Sequence, residues 1–369
     1  MEAKGKTYAA IDGQFNGNQT VATQKNNLLS VCIPTYNHAE PLRKSLEAMI
    51  PQARQYSIPI YVSDNASTDH TIKVLESFQK NYPLLYFKSN KQNLGIDQNM
   101  INAARMAHSK YVWVIGARRI ILPGMLSKIY KILEESNWDM LVLNDLNAVF
   151  KVPKTQKYTS AKKVFLELCR NLTGLGFEIL PAEAWKTDFL AKYANTDWTI
   201  LGLSLDYIAY KKDLNVFFLA EPCATDSGSS KWVPRCFKIW VDLKRVIRSL
   251  PDVYPSEDKE RVIAYLANAV FVQKFNLMNM RRSLSLVALR SEGVYNVDVF
   301  NNFREDLTKY AGYSPTLAYA IAKLPTASIK LYFRLYDAMG GIARQFVQSR
   351  AKPLNPWSMG NIPYLREEQ

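Results

Sequence analysis

Cysteine is scarce: four among 369 residues, with no close pair, which excludes a disulfide framework and a cysteine-rich zinc module. Cys32 lies in an apolar run and reads as core rather than nucleophile. The unpaired set, with Cys169, Cys223 and Cys236, fits a reducing, cytoplasmic setting. His38, His70 and His108 stand apart and form no metal-binding pattern. No apolar stretch approaches the ~20 residues needed to cross a bilayer. The polar start lacks the apolar segment of a cleaved secretory signal, so none is expected. The phosphate-cradling G-x-x-x-x-G-K-[ST] is missing, and no G-x-G-x-x-G follows the first strand, which excludes a P-loop and weakens a dinucleotide reading. No zinc-finger or RNP motif is present, so nucleic acid is not the expected partner.

What remains is a globular composition, 48% hydrophobic and 22% charged, with a net charge of +14. That excess points to an anionic partner, either a phosphorylated substrate or a membrane surface. Residues 1–27 are rich in Gly, Gln, Asn and Thr without periodicity and read as a flexible extension. From Leu28 the pattern changes. "LLSVCIP", "IPIYVSDN", "LLYFKSN", "KYVWVIG" and "WDMLVLND" read as strands. The first three and the fifth are separated from their successors by stretches of helical or mixed pattern, among them "AEPLRKSLEAMIPQAR", whose Leu42, Leu46 and Ile50 share one face. This alternation predicts βαβ units and a mostly parallel sheet flanked by helices. Residues 151–197 carry a mixed pattern; "TILGLSLDYIAYKKD" resumes as helix and "LNVFFLAEP" as a late strand. The expected division is an α/β domain over 28–231, a helical C-terminal region over 232–353, and a tail over 354–369.

In an open α/β sheet, ligands sit at the carboxyl ends of the strands. Three polar clusters fall there: "PTYNHAE" from Pro34, "SDNASTD" from Ser63, and "NKQNLGIDQN" from Asn90. Each alone is ordinary turn and helix-cap chemistry. Three on successive strand ends point to one crevice, and carboxylates beside helix N-termini suit a nucleotide. After the fourth strand, where an α/β enzyme often keeps catalytic acids, the turn instead holds Ala117, Arg118 and Arg119.

The segments "SVCIPTYNHAEPLRKSLEAM", "IYVSDNASTDHT" and "NLGIDQNMINAARMA" together resemble the family 2 glycosyltransferases of GT-A fold, in order along the chain from Leu28 to about Pro222. The resemblance implies a Rossmann-like GT-A sheet and an inverting transferase that uses a nucleotide-sugar donor. It places Pro34, Thr35, Tyr36, Asn37 and Glu40 beside the base and ribose, Asp64 and Asn65 on the base, and Asn93, Gly95 and Asn99 along the ribose and diphosphate. It also implies an acidic D-x-D motif after the fourth strand, holding a divalent cation. Here the frame "G…RIILPG" persists, but the acids are replaced by Ala117-Arg118-Arg119. No metal cofactor is therefore expected. Either an arginine meets the diphosphate directly in a metal-independent enzyme, or the chain is an inactive homologue that binds nucleotide-sugar as a scaffold, or both arginines face solvent.

Inverting transfer also needs a carboxylate base. The resemblance implies one opening a late helix, often within an E-D pair. No such pair occurs, and Asp197, just ahead of "TILGLSLDYIAY", is the candidate, with Asp206 in reserve. Their ordinary alternatives are a helix cap for Asp197 and a solvated helix face for Asp206. Asn144 and Asp145 are candidates on the acceptor side or simple turn residues, and "ATDSGSSKW" reads either as a loop able to close over the donor or as a plain linker. Between Thr308 and Pro353, seven Lys or Arg face one acid, interleaved with Tyr, Phe, Leu and Ile. Such basic amphipathic helices suit either an anionic leaflet or a helical bundle. The expectation is a transferase acting on a saccharide or lipid-linked glycan in surface polysaccharide synthesis, peripheral on the cytoplasmic face of the membrane.

Overall fold

The structure, a computed structural model, describes residues 28–146, 152–227, 233–270 and 285–338. The extension at 1–27 and the tail at 354–369 lie outside them. Two compact units are present, the first carrying the sheet and the second purely helical among its described residues.

The first unit opens with β1 (Leu29–Thr35), α1 (Ala39–Arg54), β2 (Ile60–Asp64), α2 (Thr71–Asn81), β3 (Leu85–Ser89), α3 (Ile96–Arg105) and β4 (Tyr111–Val114). Every residue of β1 is buried, as a central strand covered on both faces requires. On α1, Leu42, Leu46, Met49, Ile50 and Ala53 recur at helical spacing and turn inward. The unit continues through β5 (Arg119–Ile121), α4 (Met125–Glu135), β6 (Met140–Asp145), β7 (Gln156–Tyr158), α5 (Ala161–Leu168), β8 (Glu178–Pro181), α6 (Phe189–Tyr193), α7 (Thr199–Ala209) and β9 (Val216–Asp226).

The sheet runs β3-β2-β1-β4-β8-β6-β9-β5, with β7 also paired to β9. Its first half is parallel, as the alternation predicts. Beyond β4 the sheet is mixed: β8 enters antiparallel between β4 and β6, β6 and β9 pair in parallel, and β5 and β7 pair antiparallel to β9. Parallel β1, β2, β3 and β4 bring the turns that follow them to one edge. Trp113 on β4, fully buried, donates from Nε1 to the Gly176 carbonyl at 2.8 Å and so fixes the approach to β8.

The second unit comprises α8 (Cys236–Arg248), α9 (Ser256–Val270), α10 (Leu286–Ser291), α11 (Val297–Lys309), α12 (Pro315–Lys323) and α13 (Thr326–Ala338). Ser285, Asn296 and Ser314 cap α10, α11 and α12 by accepting a backbone N–H three residues on. Among the described residues no helix is long and apolar enough to cross a membrane.

Candidate active site

The turns after β1, β2 and β3 are stitched together by asparagine amides. Asn37, in the left-handed region at φ 51°, donates its N–H to Ser67 Oγ at 2.8 Å and accepts the Thr68 N–H on its Oδ1 at 2.7 Å. Asn65 donates to Asn93 Oδ1 at 2.8 Å and the Gly95 carbonyl at 3.2 Å, and accepts from Asn90 Nδ2 at 3.0 Å and the Leu94 N–H at 2.9 Å. Buried Asn99 accepts from Ser63 Oγ at 2.7 Å and Asn90 Nδ2 at 3.0 Å, and donates to the Ser63 carbonyl at 3.0 Å and the Thr35 carbonyl at 3.3 Å. Both amides therefore use two donors and two acceptor positions on the protein itself. They shape the crevice wall. Gly95, which begins this turn into α3, holds φ +82°, a conformation that side-chain-bearing residues adopt at a cost.

Against this saturated wall, two oxygens stand out. Thr35 Oγ1 and Asp64 Oδ1 are buried without a hydrogen-bond partner. Thr35 and Asp64 are register partners on β1 and β2, exposed by 2% and 1%. The other carboxylate oxygen of Asp64 accepts the Ser67 N–H at 3.2 Å. Buried polar atoms are normally satisfied, and an unsatisfied one costs on the order of 1–3 kcal/mol. A carboxylate oxygen beside a hydroxyl, both open, suits a ligand that offers N–H or O–H groups.

The turn after β4 carries the arginines. Arg119 starts β5 opposite Asp226 of β9. Its Nη1 lies 2.8 Å from Asp145 Oδ2 and 3.5 Å from Asp226 Oδ1, its Nε donates to the Leu175 carbonyl at 3.2 Å, and its guanidinium lies 4.4 Å over the Phe177 ring. Nearby Glu178 is buried, and that burial pushes its carboxyl well above the usual carboxylate range, opposed in part by Arg119. Arg119 is thus an internal counter-ion. Arg118, half-buried, stands one residue earlier with its carbonyl accepting the Ser227 N–H at 2.9 Å. Among the described residues no group of three or more His, Cys, Asp or Glu is placed to hold a metal ion. Two carboxylates beside this turn, Asp145 and Asp226, both face the Arg119 guanidinium.

Asp197, half-buried, precedes α7 with its backbone in the left-handed region at φ 62°. Its N–H donates to Asp97 Oδ2, in the first turn of α3, at 3.0 Å. Burial pushes the Asp97 carboxyl above its ordinary value, with the Asp197 charge adding in the same sense. Asp206, about two turns along α7, is buried and accepts from Lys192 Nζ at 2.9 Å and the Tyr193 hydroxyl at 2.6 Å.

The Glycosyl transferase family 2 signature matches residues 30–200. Residues 30–200 are a family 2 glycosyl transferase domain. Abequosyltransferase RfbV of Salmonella typhimurium is 24% identical over 253 residues, which cover 62% of this chain and 75% of that protein. An uncharacterized glycosyltransferase of Methanocaldococcus jannaschii is 28% identical over 150 residues, 38% of this chain and 51% of that one. Among solved structures, S. aureus TarS 1–349 superposes with a TM-score of 0.51 at 15% identity, covering 77% of this chain and 82% of that one. The same protein in complex with UDP-GlcNAc gives a TM-score of 0.50 at 15% identity, with 77% of this chain and 90% of that one covered. The fold is GT-A, and the domain is that of a glycosyltransferase.

Within the family 2 domain, Pro34, Thr35, Asn37, Asp64, Asn65, Asn93, Gly95 and Asn99 all come to the β1–β3 edge, and exposed Tyr36 stands beside them. Glu40 turns away along the surface of α1, ion-paired with Arg43 at 2.6 Å. Of "ATDSGSSKW", Ala224 to Asp226 belong to β9, and residues 228–232 lie outside the described residues. Sequence reasoning passed over Asp97, although an acid at the second position of a helix capped by glycine was the available signal. It also missed the pairing of Asp226 and Asp145 with Arg119, for which no local signal exists.

Proposed function

We propose that the chain is an inverting, metal-independent glycosyltransferase that moves a sugar from a nucleotide-sugar donor to a saccharide or lipid-linked glycan acceptor in polysaccharide synthesis. The observation that carries this reading is the pair of open, buried oxygens of Thr35 and Asp64 at the strand ends of a family 2 domain. They suit the N–H and O–H donors of a base or ribose. The named relatives and the UDP-GlcNAc complex of a protein with this fold support the same donor class.

In this reading Asp197 is the general base. Its carboxylate takes the proton of the acceptor hydroxyl as that oxygen bonds to the anomeric carbon, and the bond from that carbon to the diphosphate oxygen breaks on the opposite face. The diphosphate leaves with the electron pair, and Arg118 meets its charge with guanidinium N–H groups. Arg119, facing Asp145 and Asp226, holds the turn from which Arg118 projects. Docking on an anionic membrane surface through the basic C-terminal helices belongs to the same reading, because it would bring the site to a lipid-linked acceptor.

The test is donor turnover by wild-type protein and Asp197→Asn, each with and without EDTA. Wild-type turnover should survive EDTA, and Asp197→Asn should lower kcat by about 10²- to 10⁴-fold while nucleotide binding is kept. Turnover abolished by EDTA sinks metal independence. Nucleotide binding without any turnover over a broad donor and acceptor panel would mark a scaffold instead.

A further inference from the structure

Asp97 belongs to the first turn of α3, where an acid ordinarily faces the N–H groups of its own helix. Here its carboxyl reaches across 100 positions of sequence to the backbone N–H of Asp197, at 3.0 Å. The recipient is unusual in two respects. Asp197 is a non-glycine residue at φ 62°, two positions after Asn195 at φ 63°, so the turn into α7 twice enters a region that costs on the order of 1–3 kcal/mol per residue. Such a turn persists only when its surroundings fix it.

Local contacts also hold this turn. Thr196 Oγ1 donates to the Tyr193 carbonyl at 2.7 Å and accepts the Trp198 N–H at 3.1 Å, and Thr199 Oγ1 donates to the same carbonyl at 2.9 Å. Asp97 supplies a contact from another element. That element is itself tied to the crevice: two residues on, Asn99 donates to the carbonyls of Thr35 and Ser63 at the ends of β1 and β2. A single helix turn therefore touches both the strand ends and the backbone of the candidate base. Asp97 is only 4% exposed, so the carboxyl has little room to move.

We propose that Asp97 is the positioning residue for Asp197: α3, registered on the strand ends through Asn99, uses the Asp97 carboxyl to hold the left-handed Asp197 backbone and so sets where the Asp197 carboxylate meets the acceptor hydroxyl. This rests on Asp197 as general base. Burial of Asp97, which favours its neutral form, is consistent with the role, because a neutral neighbour leaves the charge on Asp197.

The experiment measures steady-state turnover of UDP-, GDP-, CDP- and dTDP-activated sugars, read as nucleoside diphosphate release, for the full chain and for Asp97→Ala, Asp97→Asn, Asp97→Glu and Asp197→Asn. Asp97→Ala should lower kcat about 10²-fold with the donor KM within about twofold, since misplacement near 1 Å costs that much. Asp97→Asn, whose amide oxygen still accepts the Asp197 N–H, should recover most of the loss. Asp97→Glu moves the acceptor by one methylene and should resemble Asp97→Ala, which keeps the test open if the alanine variant fails to fold. Wild-type kcat in Asp97→Ala or Asp97→Glu, or a loss carried by KM alone, overturns the proposal. If Asp197→Asn abolishes turnover while the Asp97 variants do not alter it, this inference alone falls. Wild-type protein without turnover, or Asp197→Asn as active as wild type, removes the base reading and this inference with it.

Discussion

Adjacent arginines in one turn have different surroundings, and that difference predicts different losses. Arg119 is 12% exposed and faces Asp145 and Asp226, so its removal leaves carboxylates without their counter-charge. Arg119→Ala should cost roughly 2–3 kcal/mol, less than a fully buried pair because Asp226 is 35% exposed. Arg118→Ala should weaken nucleotide-sugar binding about tenfold by loss of charge-assisted bonds. Urea titration of the first variant and calorimetric binding of the second check both, and undiminished binding by Arg118→Ala would deny its role at the diphosphate. The sequence makes the turn that holds Ala117, Arg118 and Arg119 legible, because its frame of strand, glycine and Pro-Gly turn is local. It does not tell the arginines apart. The partners of Arg119 lie on β6 and β9, brought beside it only by the antiparallel pairing of β5, and no periodicity near residue 119 encodes that. The same holds for Asn65 and Asn99: composition marks them as polar residues at strand ends, but whether an amide meets a ligand or another loop depends on the distance between loops.

At the scale of elements, legibility follows length. β1 to β4 and α1 to α3 are read directly from apolar runs and helical spacing, since the strands are buried over most of their length and the helices turn a repeating face inward. β5, β7 and β8 have three, three and four residues, too few for any period, and β8 inserts antiparallel where alternation implies continuing parallel strands. The helix carrying the candidate base shows a further limit. α7 is buried from Thr199 to Ile208, so it has no polar face to orient it. It is oriented instead by Gly202, where a Cβ would collide with the fully buried Tyr193 ring of α6. That close approach lets the Tyr193 hydroxyl reach Asp206, which reads in sequence as a surface or catalytic acid and is here an anchor between two helices. Gly202→Ala should therefore destabilise the protein by about 1–3 kcal/mol, despite the higher helix propensity of alanine. Urea titration should show it, and a neutral or stabilising result would mean that α6 is free to move away from α7.

For the whole molecule, the charge of +14 poses the question of where an anionic partner would bind. A nucleotide diphosphate needs only one or two of these cations, so most of the excess lies outside the donor site. The C-terminal helices offer a second use. On α13, Leu331 and Leu335 are 57% and 59% exposed, one helical turn apart, and Lys330 and Arg334 are exposed beside them. Apolar side chains that enter the headgroup region, with cations to meet anionic lipid, make a surface-binding helix. Each Lys or Arg near an anionic leaflet contributes about 1 kcal/mol, and each leucine that leaves water about 1.5–3 kcal/mol. Binding should therefore need both anionic lipid and the leucines. Full-length protein should co-sediment with phosphatidylserine-containing vesicles at low ionic strength and be released at high ionic strength, with weak retention on phosphatidylcholine alone. Leu331→Asp with Leu335→Asp should reduce that binding at least about tenfold while leaving turnover of a water-soluble acceptor unchanged. Equal binding to neutral and anionic vesicles would separate the charge from the membrane. Undiminished binding by the double variant would move the contact away from α13, and failure of the full chain to bind either vesicle would confine the basic excess to soluble anions.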